Sequence, residues 1–151
     1  MTRQIVIADA SCLITLDNIN ETDLLPKLYT QIYVTPEVAG EVGESLPEWA
    51  SQRSSSNHAL IDQLSAKLEI GEATSIALAL ELQDCLLIID EKKGRRTARQ
   101  LGIDFTGTFG IIMKGFDLGL IDSPNTIVER LERVGFRISE TLKTKMQTKI
   151  H

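Results

Sequence analysis

The chain has 151 residues, 42% of them hydrophobic and 25% charged, and carries a formal net charge of −5. That length suits one domain hiding roughly 68–70% of its unfolded surface, and no apolar run approaches the ~20 residues that span a bilayer. The acidity argues against a polyanionic partner, and two cysteines beside apolar runs, Cys12 and Cys85, read as reduced core residues rather than a disulfide framework.

The first element is the strand Ile5-Val6-Ile7-Ala8, which stops at Asp9. Aliphatic runs without polar alternation are buried on both faces, the habit of a parallel sheet covered by helices. A chain that enters a strand this early leaves no room for a signal peptide, so a cytoplasmic location and no membrane are expected. Ser11 to Leu16 reads as a short helix, and a second forms around Leu24, Leu25 and Leu28. The strand Ile32-Tyr33-Val34 leads to Thr35-Pro36, an N-cap followed by the proline that suits the first helical position. That helix carries Val38 and Val42 on one face and is shortened by Gly40 and Gly43. From Glu44 to Asn57 the chain turns polar, with Pro47 and a serine run, and is expected to be flexible.

A helix around Ile61, Leu64 and Leu68 reaches Gly71, and the next starts at Glu72 with Ala73, Ile76, Ala77 and Leu80 at helical spacing. The third strand, Leu86 to Ile89, stops at Asp90 as the first stops at Asp9. Lys92 to Leu101 is helical, Gly102 to Thr106 offers a fourth strand, and Gly107-Thr108-Phe109-Gly110 opens a helix through Phe116. One more amphipathic helix carries Ile127, Leu131 and Val134, before a basic tail over 137–151 that is expected to be flexible. The order predicts a three-layer α/β/α fold around a mostly parallel sheet of about four to five strands, and one domain over 1–151.

In open α/β sheets the ligand crevice lies beyond the carboxyl ends of the strands, where Asp9 and Asp90 stand. Each has a bland alternative as the N-cap of the helix that follows, a role worth about 1 kcal/mol. Glu41 lies beyond the first helical turn, past the reach of the dipole. Glu72, at a helix start where acid is welcome, also lies on the buried stripe with Ile76. Four carboxylates at one sheet edge are costly, since like charges ~4 Å apart repel by about 4 kcal/mol at an effective dielectric of ~20. A hard cation removes that cost, and oxygen-only ligands suit Mg²⁺ or Mn²⁺ rather than zinc. Directly after Asp90 come Lys92, Lys93, Arg95, Arg96 and Arg99, an ordinary solvated face were it not beside an acidic centre. His58 and His151 pair with no cysteine at metal-ligand spacing, and no Walker or dinucleotide glycine motif is present.

The order Asp9-Ala10-Ser11, Thr35-Pro36-Glu37-Val38 with Glu41, Gly71-Glu72-Ala73 and Leu87-Ile88-Ile89-Asp90 resembles the PIN-domain nucleases. With Asp90-Glu91-Lys92-Lys93-Gly94-Arg95-Arg96 and Gly107-Thr108-Phe109-Gly110, it is similar to the compact prokaryotic PIN proteins related to VapC toxins. The resemblance runs from Ile5 to about Ile121. It implies a Mg²⁺-dependent (or Mn²⁺-dependent) endoribonuclease, with Asp9, Glu41, Glu72 and Asp90 at the family's acidic positions. Where many relatives carry a second aspartate this chain has Glu91, which leaves open whether Asp90 or Glu91 faces the metal. Ser11 and Thr108 are expected to add hydroxyl contacts to water or phosphate, and Lys92, Lys93, Arg95 and Arg96 to grip the RNA backbone. A toxin of this kind implies a cognate antitoxin protein and a homodimer. Two other readings stand beside it: a nuclease-inactive PIN-like module that binds RNA or protein, and an aspartate-based phosphotransfer domain.

Overall fold

The computed structural model describes residues 5–121 and 123–148. The strands are β1 (Ile5–Ala8), β2 (Gln31–Val34), β3 (Ala50–Gln52), β4 (Leu86–Ile88) and β5 (Phe105–Thr106), all parallel, in the order β3-β2-β1-β4-β5. The helices are α1 (Ala10–Asn18), α2 (Leu24–Leu28), α3 (Pro36–Val42), α4 (His58–Ser65), α5 (Ile70–Leu82), α6 (Lys92–Gln100), α7 (Thr108–Asp117), α8 (Pro124–Arg133) and α9 (Glu140–Thr148). Among the described residues no helix is long and apolar enough to cross a membrane.

Period-two alternation divides the strands between two cores. Val6, Ala8, Ile32, Val34 and Ile88 face a layer with Leu16, Leu25, Ile112, Phe116 and Leu131. Ile7, Leu87 and Ile89 face the other, with Ile76, Leu78, Ala98 and Ile103. Both faces of the sheet are therefore covered, which is why β1 and β4 carry no polar alternation. The three-layer expectation holds, at five strands.

The segment Glu44–Asn57 is more ordered than its composition predicts. A 3-10 turn at Gly43–Ser45 precedes β3, where Ala50 registers with Ile32, and Arg53 N closes the edge on Val34 O at 2.9 Å. Trp49 packs on the core and donates Nε1 to Asp23 (3.4 Å). The serines are anchored by Glu81 of α5, which accepts from Ser56 N (2.9 Å), Ser56 Oγ (2.6 Å) and Ser55 Oγ (3.4 Å). In the segment 137–151, residues 140–148 form α9, whose Met146 is fully buried against the first core, while 149–151 lie outside the described residues.

Candidate active site

The strand order reverses direction between β1 and β4, which register Val6 with Leu86 and Ala8 with Ile88. That reversal opens the crevice of a doubly wound sheet. Asp9 leaves β1 extended, donates its N–H to Ile88 O (3.1 Å) and caps α1, its Oδ1 accepting from Cys12 N at 2.9 Å. Its Oδ2 accepts from Asp90 N at 3.2 Å, so one side chain fastens the two strand ends together. Both the capping role and the crevice position of Asp9 are real.

Asp90 caps a different helix from the one that follows it. Its Oδ1 accepts from Thr108 N (2.8 Å), and its Oδ2 from Thr108 Oγ1 (2.6 Å) and Ser11 Oγ (3.1 Å). Thr108 is fully buried, and it and Ser11 each direct a hydroxyl at Asp90, fixing its carboxylate. Arg95 approaches the same group from α6. Its Nη2 and Asp90 Oδ1 lie 2.9 and 2.8 Å from the point where a Cβ on Gly107 would stand, so only glycine leaves room for both. The Arg95 guanidinium stacks over Phe105 (5.5 Å), sharing the ring with Arg99 (5.4 Å), and its buried Nε has no hydrogen-bond partner.

The two glutamates come from α3 and α5, which are clamped at a buried hydroxyl pair, Thr35 Oγ1 to Thr74 Oγ1 at 2.9 Å. Thr35 also caps α3 by accepting from Val38 N (3.3 Å). The clamp carries Glu41 over Gly71: a Cβ there would stand 2.5 Å from Glu41 Oε1. Helix α5 begins at Ile70, two residues before the expected start, with Glu69 as N-cap. Glu69 N donates to Glu72 Oε1 at 3.3 Å, so the bland capping role of Glu72 is also filled.

These side chains line one cavity of about 210 Å³: Asp9, Ser11, Glu41, Glu69, Glu72, Asp90 and Glu91. Glu69 was not anticipated from sequence, because its place depends on where α5 starts. Burial, and next the charge of Asp90, push the Asp9 carboxyl from its ordinary 3.8 up to about 7. Burial also raises the Glu72 carboxyl, helped by the charges of Glu91, Glu69 and Glu41. Cys12, behind Asp9, is fully buried, and desolvation with the two aspartates raises its thiol far above the ordinary range, which makes it inert. Lys92, Lys93 and Arg96 are exposed on α6, and His58, at the start of α4, lines no part of this cavity.

Among the described residues, no three acidic, histidine or cysteine side chains stand close enough together to hold a metal ion in their present rotamers. The carboxylates converge on one cavity yet turn away from one another, Asp9 and Asp90 onto N–H and hydroxyl donors and Glu41 onto Gly71. The donor set nevertheless fits a hard divalent cation. It is oxygen only, its innermost member is buried beside a second carboxylate, which makes its charge costly without a cation, and Glu41 and Glu91 are exposed enough to rotate inward.

A family model described as a PIN domain matches residues 5–151. The chain belongs to the PIN-domain family. No curated protein gives a significant match. PIN domains are nucleases in general and typically depend on divalent metal, so hydrolysis is the chemistry of this fold. In this PIN domain the acidic cavity occupies the switch point of the sheet, with basic α6 at its rim.

Proposed function

We propose that this PIN domain is a Mg²⁺- or Mn²⁺-dependent endoribonuclease, the toxin of a toxin–antitoxin pair of the VapC-like kind. The observation that carries the reading is the convergence of Asp9, Glu41, Glu72, Asp90 and Glu91 on one cavity beside a cationic helix. Asp9, Glu41, Glu72 and Asp90 would hold the cation, with Glu91 the alternative to Asp90. When bound, the cation supplies neutralisation of phosphodiester charge and a more acidic water. Ser11 and Thr108 hold the Asp90 carboxylate in one orientation. The exposed carboxylates of Glu41 or Glu91 would orient the attacking water and accept its proton. Lys92, Lys93 and Arg96 would grip phosphates, and Arg95 would set positive charge beside Asp90 where negative charge develops. An antitoxin that occludes the cavity, a homodimer and a cytoplasmic location belong to the same proposal.

The test is cleavage of an end-labelled single-stranded RNA by purified protein with Mg²⁺ or Mn²⁺. EDTA and Asp90→Asn are each expected to abolish it, and RNA left intact under every metal condition would overturn the reading. A second reading, a PIN-like module that holds RNA or protein without cutting, is favoured by the splayed carboxylates and by Glu91 in the aspartate position. Thermal melting with Mn²⁺ separates the two, since a ligand that binds only the folded state raises its stability.

A further inference from the structure

Helix α4 buries none of its residues completely, although Leu60, Ile61 and Leu64 lie along one face of it. Leu60 and Leu64 instead form one wall of a groove against α6. The groove comprises two adjoining cavities of about 320 and 520 Å³, sharing Lys67, Leu68, Thr97 and Gln100. Its apolar lining comes from Leu60, Leu64, Leu68 and Leu101, while Lys67, Lys93 and Arg96 line its larger end. A further cavity, lined by Lys67, Lys93, Glu69, Glu72 and Glu91, joins this cationic end to the acidic site. The surface thus runs without a break from carboxylates to cations to an apolar lining. Arg95 and Arg99 do not belong to it, because they turn to Phe105 on the opposite side of α6.

We infer that the α4–α6 groove is a nucleotide subsite, which takes the single-stranded RNA flanking the bond that is cut. This rests on the ribonuclease reading. Lys67, Lys93 and Arg96 hold the phosphate next to the scissile one, and its base lies on Leu64 and Leu68 with the Gln63 and Gln100 amides at its edge. The charge order favours RNA over an acidic peptide. A peptide needs only the cationic rim, whereas a polynucleotide also explains why that rim is continuous with the candidate cation site. Lys67 acquires a role, and the basic run of α6 divides, Lys93 and Arg96 facing the subsite and Arg95 facing Asp90.

The experiment measures fluorescence anisotropy of labelled oligouridylate and oligoadenylate on an Asp9→Asn background, which keeps the RNA whole. Lys67→Ala with Arg96→Ala is expected to weaken both RNAs about tenfold or more and to lower the salt slope by about 0.7 for each phosphate left unneutralised. Leu64→Ser is expected to narrow the difference between the two RNAs with the salt slope unchanged. Arg133→Ala, an exposed arginine paired with Glu129 on α8, is the control expected to change neither. In case the double variant melts early, 4-thiouridine RNA crosslinked to the Asp9→Asn protein is expected to label the stretches 60–68 and 93–101. Unchanged affinity and slope, or crosslinks elsewhere, overturn the subsite. So does a double variant that keeps RNA binding but changes sedimentation, which makes the groove a protein interface. If the subsite fails while the unmutated protein still cleaves RNA, the nuclease reading stands alone. If RNA binds through the groove and is never cleaved, the nuclease reading falls and the subsite with it, leaving a groove that only holds RNA.

Discussion

A buried carboxyl that is protonated near neutrality makes metal-free stability depend on pH in a definite direction. Asp9 has an ordinary value of 3.8 and about 7 when folded, so between these the folded chain holds the extra proton. Stability is then full at low pH and falls as pH rises from about 4 to past 7, by roughly 4 kcal/mol if the whole shift is realised. Melting of EDTA-treated protein is expected to give its highest Tm near pH 5, and Mn²⁺ to restore most of the loss at pH 8. A Tm that climbs from pH 5 to 8 without metal would remove the buried acid pair. Asn at position 9 matches one backbone donor but turns an NH₂ toward the other, because Cys12 N and Asp90 N each use one oxygen. Asp9→Asn is therefore expected to lose about 1 kcal/mol at pH 5. The order should reverse by pH 8, where the unmutated side chain bears its charge in the buried site and the asparagine does not titrate. Gly71→Ala acts on another residue: the new methyl displaces the flexible end of Glu41. Melting should change by less than about 1 kcal/mol, and Mn²⁺ affinity should fall if Glu41 is a ligand, which isothermal titration reads.

At the level of elements, the site depends on the angle between α3 and α5, and their contact is polar where most of the core is aliphatic. Thr35→Val removes the α3 cap and the partner of Thr74 at once, at an expected cost of about 2 kcal/mol in urea unfolding. The same elements mark what could be read in advance. β1 and β4 were legible because strands buried on both faces lose their polar residues, and the Thr35-Pro36 start of α3 is a local signal. Asp9, Glu72 and Asp90 were legible because strand ends and a helix start fix their level on the sheet, and Glu41, near the far end of α3, because the helix dipole gives no reason for an acid there. β3 was not, because it is a three-residue edge strand whose register comes from Ile32 and whose following serines are held by Glu81. Nor was Glu69, since the start of α5 two residues early rests on a glutamate as N-cap, a residue type seldom used there. The spread of the carboxylates away from a common point has no signature in residue order at all.

Across the whole molecule, the chain is acidic overall, while α6 places its cations within reach of the acidic cavity. The far end is tied to the first core by α8 and α9: Arg130 Nη1 donates to Ile19 O (3.1 Å), and Lys143 pairs with Glu132 (3.0 Å). Met146 tests whether α9 belongs to the fold. Met146→Ala is expected to cost about 2 kcal/mol or more in urea unfolding, where a solvated tail would give none.

Asp9 and Asp90 touch across 81 residues of sequence, and Asp90 in turn waits for Thr108, a further 18 residues on. Contacts of that separation form late, because the chain between them must be brought together first. During synthesis, the strand carrying Asp9 therefore leaves the ribosome long before its partner exists, and the Asp90 carboxylate is not fixed until the helix of Thr108 has also emerged. A nascent chain halted anywhere earlier lacks the donors that fix Asp90, so the acidic cavity takes its final form only once that helix is in place.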